Sequence, residues 1–188
     1  MKWVAAVAIV AIGTAWLQDP PKKWEPVPAG HKYVGAATCN MCHDGKTKTK
    51  AYAQWSKAKH AQAYKTLATD KAREIGKARG IEEPQKSPDC LKCHTTGHGN
   101  EAKWFDADFT LAEGVSCEAC HGSGDDYMPK AIHGKDRAKA IAKGMVIPDE
   151  KLCRNCHNEE SPTYKDHPFN YKEFRKRIMH WEPREIDK

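Results

Sequence analysis

The chain has 188 residues, eight cysteines and ten histidines, and its 31 Lys and Arg against 25 Asp and Glu give a formal charge of +6. That length suits one ordinary domain, but Leu, Ile, Val and Phe are sparse, so a core built from protein alone would be thin and something else must supply buried apolar volume. The basic residues are not interleaved with aromatics as in a groove for single-stranded nucleic acid, which argues against a nucleic-acid partner.

At the N-terminus, Lys2 followed by the apolar run Trp3 to Ala15 reads as a secretory signal over residues 1–15. The run is shorter than the roughly 20 apolar residues of a transmembrane helix. Gly13-Thr14-Ala15 has the small-x-small form of a cleavage site, which sets the mature start near Trp16; an uncleaved N-terminal anchor is the alternative. Residues 16–32 form a lead-in whose Pro20, Pro21, Pro26 and Pro28 favour extended backbone. Residues 33–188 are expected to make the functional domain. Cys39-Asn40-Met41-Cys42-His43 comes first. Residues 48–79, rich in Ala and Lys and free of Pro, predict a helix with Tyr52, Trp55, Ala63, Tyr64 and Leu67 as its apolar stripe. Gly80, Pro84 and Pro88 end it. Cys90-Leu91-Lys92-Cys93-His94 leads into a loop, Thr95 to Gly99, and Cys117-Glu118-Ala119-Cys120-His121 leads into the turn Gly122-Ser123-Gly124. Residues 134–144 predict a short basic helix, and Pro148-Asp149-Glu150 reads as a helix start before Cys153-Arg154-Asn155-Cys156-His157. After a loop marked by Pro162 and Pro168, residues 170–181 predict a last helix with Tyr171, Phe174, Ile178 and Trp181 on one side. No segment reads as a convincing strand, so the expected class is mainly α with extensive loops and little or no β.

Cys39, Cys42, Cys90, Cys93, Cys117, Cys120, Cys153 and Cys156 are all the cysteines of the chain, and all fall in four copies of Cys-x-x-Cys-His. That motif is the attachment signature of haem c. Two thiols three positions apart can reach the two vinyl groups on one edge of a porphyrin, and the adjacent histidine then binds the iron from the proximal side. Structural disulfides, zinc ribbons and thioredoxin-like redox pairs also use paired cysteines, but none of them needs a histidine after every second one. The expectation is therefore four covalently attached haems with His43, His94, His121 and His157 as proximal ligands, in a compact multihaem cytochrome c built around four packed haems. The macrocycles would supply the missing apolar volume. Each ferric haem with its propionates carries about one net negative charge, so four of them bring the protein close to neutral and weaken further any case for a polyanion partner. Export agrees, because c-type haem is attached outside the cytoplasm, and a periplasmic location follows.

Six histidines remain for the sixth coordination positions. His60 lies three residues before Ala63, four before Tyr64 and seven before Leu67, on the apolar face of the first predicted helix. His133 follows His121 by twelve residues, just beyond the Gly-rich turn. His180 lies near the end of the last helix, off its apolar stripe, with His167 in the preceding loop as a rival. His98 is four residues from His94 and poorly placed to reach the opposite face of the same haem. His31 lies upstream of the first motif. Met128, Met145 and Met179 are thioether alternatives that would raise a haem's potential.

The order and flanks of the motifs resemble the cytochrome c-554 family, tetrahaem electron carriers associated with bacterial ammonia oxidation. The features that carry the resemblance run from about Tyr33 to Trp181: Tyr33-Val34-Gly35, Trp55 with His60-Ala61-Gln62-Ala63, Asp89, Thr96-Gly97-His98-Gly99, Gly114-Val115-Ser116, Gly122-Ser123-Gly124 and Ile178-Met179-His180. The resemblance implies a ligand map in which His43 pairs with His133, His121 with His60 and His157 with His180, while the haem on His94 keeps an open distal face. The chain departs from the family in a short segment between the fourth motif and the last helix, and in His98 where an aromatic residue is usual.

The expected function is that of a periplasmic carrier passing electrons between redox partner proteins, such as other cytochromes and quinol-linked or nitrogen-cycle oxidoreductases, through small weak interfaces. Membrane contact is expected only if the signal stays uncleaved. The alternative is a reductase or oxidase of a small nitrogen oxide using a five-coordinate haem at His94; the sequence holds no placed catalytic set for it.

Overall fold

The structure is a computed structural model and describes residues 31–44, 50–129, 131, 132, 134 and 136–180. The expected signal, nearly all of the lead-in, His133 and Trp181 lie outside these residues. Among the described residues the architecture is short helices joined by long loops, with a single isolated bridge, Tyr33 to Phe105, in place of any strand. No helix there is long and apolar enough to cross a membrane. The α-helices are α1 (Ala36–His43), α2 (Ala51–Trp55), α3 (Ala63–Thr66), α4 (Asp70–Ala78), α5 (Pro88–His94), α6 (Cys117–His121), α7 (Arg137–Ala142), α8 (Glu150–Arg154) and α9 (Tyr171–Ile178).

Local chemistry explains several helix starts. Thr69, Asp136, Asp149 and Asn170 each accept a hydrogen bond from a backbone N–H of the first turn of the helix that follows, a cap worth about 1 kcal/mol each. The predicted helices over 134–144, from Glu150 and over 170–181 are present on these caps, the first and last of them well short of the expected bounds.

The single helix expected over 48–79 is instead broken into α2, a 3-10 turn at Lys59–Gln62, α3 and α4. Ala58 and Thr69 are extended at the two main breaks. Tertiary contact is the cause at the first one. The chain wraps around the segment 114–116, with the Trp55 indole donating to the Val115 carbonyl (2.9 Å) and the Val115 N–H donating to the His60 carbonyl (3.0 Å). Gly114 packs so closely there that a Cβ would stand 2.7 Å from the His60 carbonyl oxygen.

The apolar core is small. Tyr33, Val34, Ala36, Ala61, Leu67, Leu91 and Ala140 are the buried hydrophobic residues among those described. Tyr33 stacks on Phe105 with ring centroids 5.2 Å apart and leans on Phe109, and both Tyr33 and Phe105 close over Gly97, where a Cβ would meet either ring at 2.8 Å. Polar groups hold the rest. The Thr96 hydroxyl accepts the Ser116 N–H (2.7 Å), and the Thr96 N–H donates to the Gly114 carbonyl (2.9 Å). This thin core is what the sparse Leu, Ile, Val and Phe predicted.

Candidate haem centre

Each motif sits on a helix or at its end, and the helix explains the spacing. Residues i, i+3 and i+4 share one helical face, so both thiols and the histidine of each motif project the same way. α1, α5 and α6 end on His43, His94 and His121. In the fourth motif α8 carries Cys153, and the His157 N–H still donates to the Cys153 carbonyl at 3.0 Å, continuing the helical turn.

Cysteine sulfurs of different motifs lie near one another. Cys39 hydrogen-bonds with Cys117, and Cys93 with Cys156. The thiol contact and then burial push the pKa values of Cys39 and Cys156 up, while Cys93 is lowered by the bond from Cys156. Burial pushes the Cys120 thiol up to about 11, with the Cys153 sulfur adding to the effect. Sulfur hydrogen bonds thus join motif one to three and four to two, and Cys120 of motif three lies near enough to Cys153 of motif four to feel its charge.

The histidines come together in two facing pairs. His60 and His157 have ring centroids 5.9 Å apart at an interplanar angle of 85°. His121 and His180 stand 5.9 Å apart at 77°. Two metal–nitrogen bonds of about 2 Å plus the distance from each nitrogen to its ring centre give about 6 Å for imidazoles sharing one metal ion, so either pair fits an iron between its rings. This pairing differs from the map implied by the resemblance, which joined His121 to His60 and His157 to His180. The reason lies in the break of the 48–79 helix, which turns His60 toward the fourth motif. The C-terminal segment brings His180 to the third, where the Gln54 amide donates to the Met179 carbonyl at 2.5 Å.

Supporting groups orient the rings as metal ligands require. His94 Nδ1 meets the Ala63 carbonyl at 2.7 Å, His121 Nδ1 the Val146 carbonyl at 3.2 Å and His180 Nδ1 the Ile178 carbonyl at 3.1 Å. A ring whose Nδ1–H is held by a carbonyl presents Nε2 as the ligand. Burial lowers the pKa of His60 and of His121 to about 4, with the neighbouring His157 adding to the shift at His60, so both imidazoles are in the neutral form that binds metal. Phe169 stacks on His157 at 4.6 Å, and Phe174 meets its edge at 6.2 Å. The donor set therefore suits haem c.

The other candidates fall elsewhere. His43 is half-buried and close enough to His121 to influence its charge. His98 is half-buried in the loop after α5, and His167 is exposed. His31 packs by Asp125 and Asp126.

Two residues that matter to the site had no sequence signal. The Glu118 carboxylate, buried inside the third motif, accepts the N–H groups of Val34 (2.9 Å), Gly35 (2.9 Å) and Gly124 (2.7 Å). Glu113 accepts the Ala36 N–H at the start of α1 (2.9 Å). Together they bind the first motif's helix to the third motif. Only the folded chain reveals this, because Glu118 stands at a position that the motif leaves open to any residue.

The family described as cytochrome c554 and c-prime matches residues 38–122, which hold the first three motifs. The cytochrome c-554 of Nitrosomonas europaea is 27% identical over 184 residues, covering 88% of this chain and 73% of that protein. No solved structure matches the chain significantly. The helical, loop-rich architecture and the Cys-x-x-Cys-His motifs carried on helices agree with these two similarities: the chain resembles the cytochrome c-554 family over its first three motifs and one cytochrome c-554 over most of its length.

Proposed function

We propose that the chain holds four haem c groups, one on each Cys-x-x-Cys-His motif, and carries electrons in the periplasm between redox partner proteins. The observation that supports this reading is the closeness of the four motifs: sulfur hydrogen bonds join one to three and four to two, and Cys120 of the third feels the charge of Cys153 of the fourth, so groups attached there would be neighbours in a single chain. Haem, when bound, supplies a one-electron iron couple. The protein's part is to hold it still. The pairs His60–His157 and His121–His180 would hold it with imidazole ligands that suit both redox states, so that transfer would require no ligand exchange. The carbonyls on Nδ1 of His94, His121 and His180 lock the rings, and Phe169 and Phe174 shield His157 from water. His43 and His133 complete the proposed ligand set.

The test is the intact mass of the exported protein together with its pyridine haemochrome absorbance. Four haems per chain and no titratable thiol are expected; fewer haems, or a pair of free cysteines, would refute the stoichiometry. A second reading attaches to His94. The resemblance leaves the haem on that residue with an open distal face, where the iron could take a small nitrogen oxide. An electron paramagnetic resonance spectrum that is wholly low-spin and unchanged by nitric oxide would eliminate that reading.

A further inference from the structure

His31 stands apart from the two facing histidine pairs, on the segment that leads into the buried Tyr33. That segment lies against the turn after the third motif, where the Asp125 N–H donates to the Lys32 carbonyl (3.4 Å) and the Asp126 N–H to Asp125 Oδ1 (2.9 Å). Both carboxylates thereby face the imidazole. His31 Nδ1 is 3.3 Å from Asp126 Oδ2 and 3.9 Å from Asp125 Oδ1, and the ring rests over Gly144.

Two features set this trio apart from an ordinary ion pair. The His31 Nδ1 atom is buried and has no hydrogen-bond partner. A direct hydrogen bond would close the gap to about 2.7–3.2 Å, whereas ligands about 2.0–2.2 Å from a tetrahedral metal lie roughly 3.3–3.6 Å from one another; the 3.3 Å to Asp126 falls in that range and the 3.9 Å to Asp125 just outside it. One ligand atom from each residue can be chosen so that all three lie within 4.8 Å of one another. Charge points the same way. Among the described residues neither aspartate pairs with a lysine or arginine, and neighbouring Lys32 is engaged with Asp106 at 3.6 Å.

We propose that His31, Asp125 and Asp126 form a binding site for a divalent transition-metal ion such as zinc, with one imidazole nitrogen, two carboxylate oxygens and a fourth position left to water. One nitrogen and two oxygens suit an ion of borderline softness better than calcium or magnesium, which prefer oxygen alone. The site clamps the segment before the first motif to the turn after the third, the same junction that Glu118 ties from inside. It is separate from the haem ligands and independent of how many haems the chain carries.

The test is equilibrium dialysis of the haem-loaded protein against micromolar zinc sulfate, with zinc and iron counted by mass spectrometry. One zinc per chain is expected, with affinity at least about tenfold weaker in His31→Gln and in Asp126→Asn, each a loss of one ligand. Asp126 lies on a partly exposed turn, so its variant reports on binding even where His31→Gln fails to fold. Absence of zinc from the wild type, or equal zinc in wild type and Asp126→Asn, would overturn the proposal.

Discussion

Glu118→Ala removes the one carboxylate that accepts three backbone N–H groups at the junction of the first and third motifs. Glu118 is 2% exposed, so water cannot readily replace it. Each stranded donor costs about 1–3 kcal/mol, and because the three share one acceptor their costs overlap, for a total of about 3–5 kcal/mol. A domain's net stability is about 5–15 kcal/mol, so the loss is a large fraction. Glu118→Gln keeps one acceptor oxygen and turns an N–H₂ toward a backbone N–H, at a cost of about 1–3 kcal/mol. The variants also separate by pH. Burial raises the Glu118 carboxyl pKa above the ordinary glutamate value, outweighing the three N–H donors that lower it. The folded state then keeps a proton that the unfolded chain has released, so stability falls as pH rises from about 4.3 through the raised folded value. In Glu118→Gln that decline shrinks; a part remains from Glu113, whose pKa burial also raises. The assay is urea unfolding of the haem-loaded protein, followed by far-ultraviolet circular dichroism at several pH values. An unchanged midpoint in Glu118→Ala, or an undiminished pH slope in Glu118→Gln, would refute this account of the junction.

His60→Ala and His157→Ala are expected to disturb the same haem, since the two rings face each other at 5.9 Å. Magnetic circular dichroism of the double variant should therefore show one altered haem, and two altered haems would restore the pairing of His60 with His121. Gly114→Ala places a Cβ 2.7 Å from the His60 carbonyl at a φ of +67°, so it should lower stability by about 1–3 kcal/mol in a thermal melt and perturb the His60 haem spectrum. A wild-type melting temperature would mean that the chain relaxes around this contact at little cost.

Chemistry carried by neighbouring residues was legible in the sequence. The four motifs place thiols and histidine on one helical face by spacing alone, because i, i+3 and i+4 align in any helix. The caps Asp149 and Asn170 act within one turn, so the helices after them were also readable. The paucity of large aliphatic residues announced a thin core, and the structure has one. His60 stood out as a ligand candidate because its spacing to Ala63, Tyr64 and Leu67 is local.

What the sequence left open depends on long-range contact. Which histidine faces which depends on the break at Ala58 and on the grip of Trp55 and His60 on Val115, residues more than fifty positions apart. No periodicity encodes that break, since Ala and Lys favour helix throughout the segment. The role of Glu118 was hidden for the same reason: its three partners lie in segments 83 or 84 residues upstream and 6 residues downstream. The Cys-x-x-Cys-His repeat thus specified which thiols and histidines share a face, because each motif is about a single turn of helix. Tertiary packing set the His60 ring beside His157 and the His180 ring beside His121, because contacts between distant segments are decided only when the chain folds.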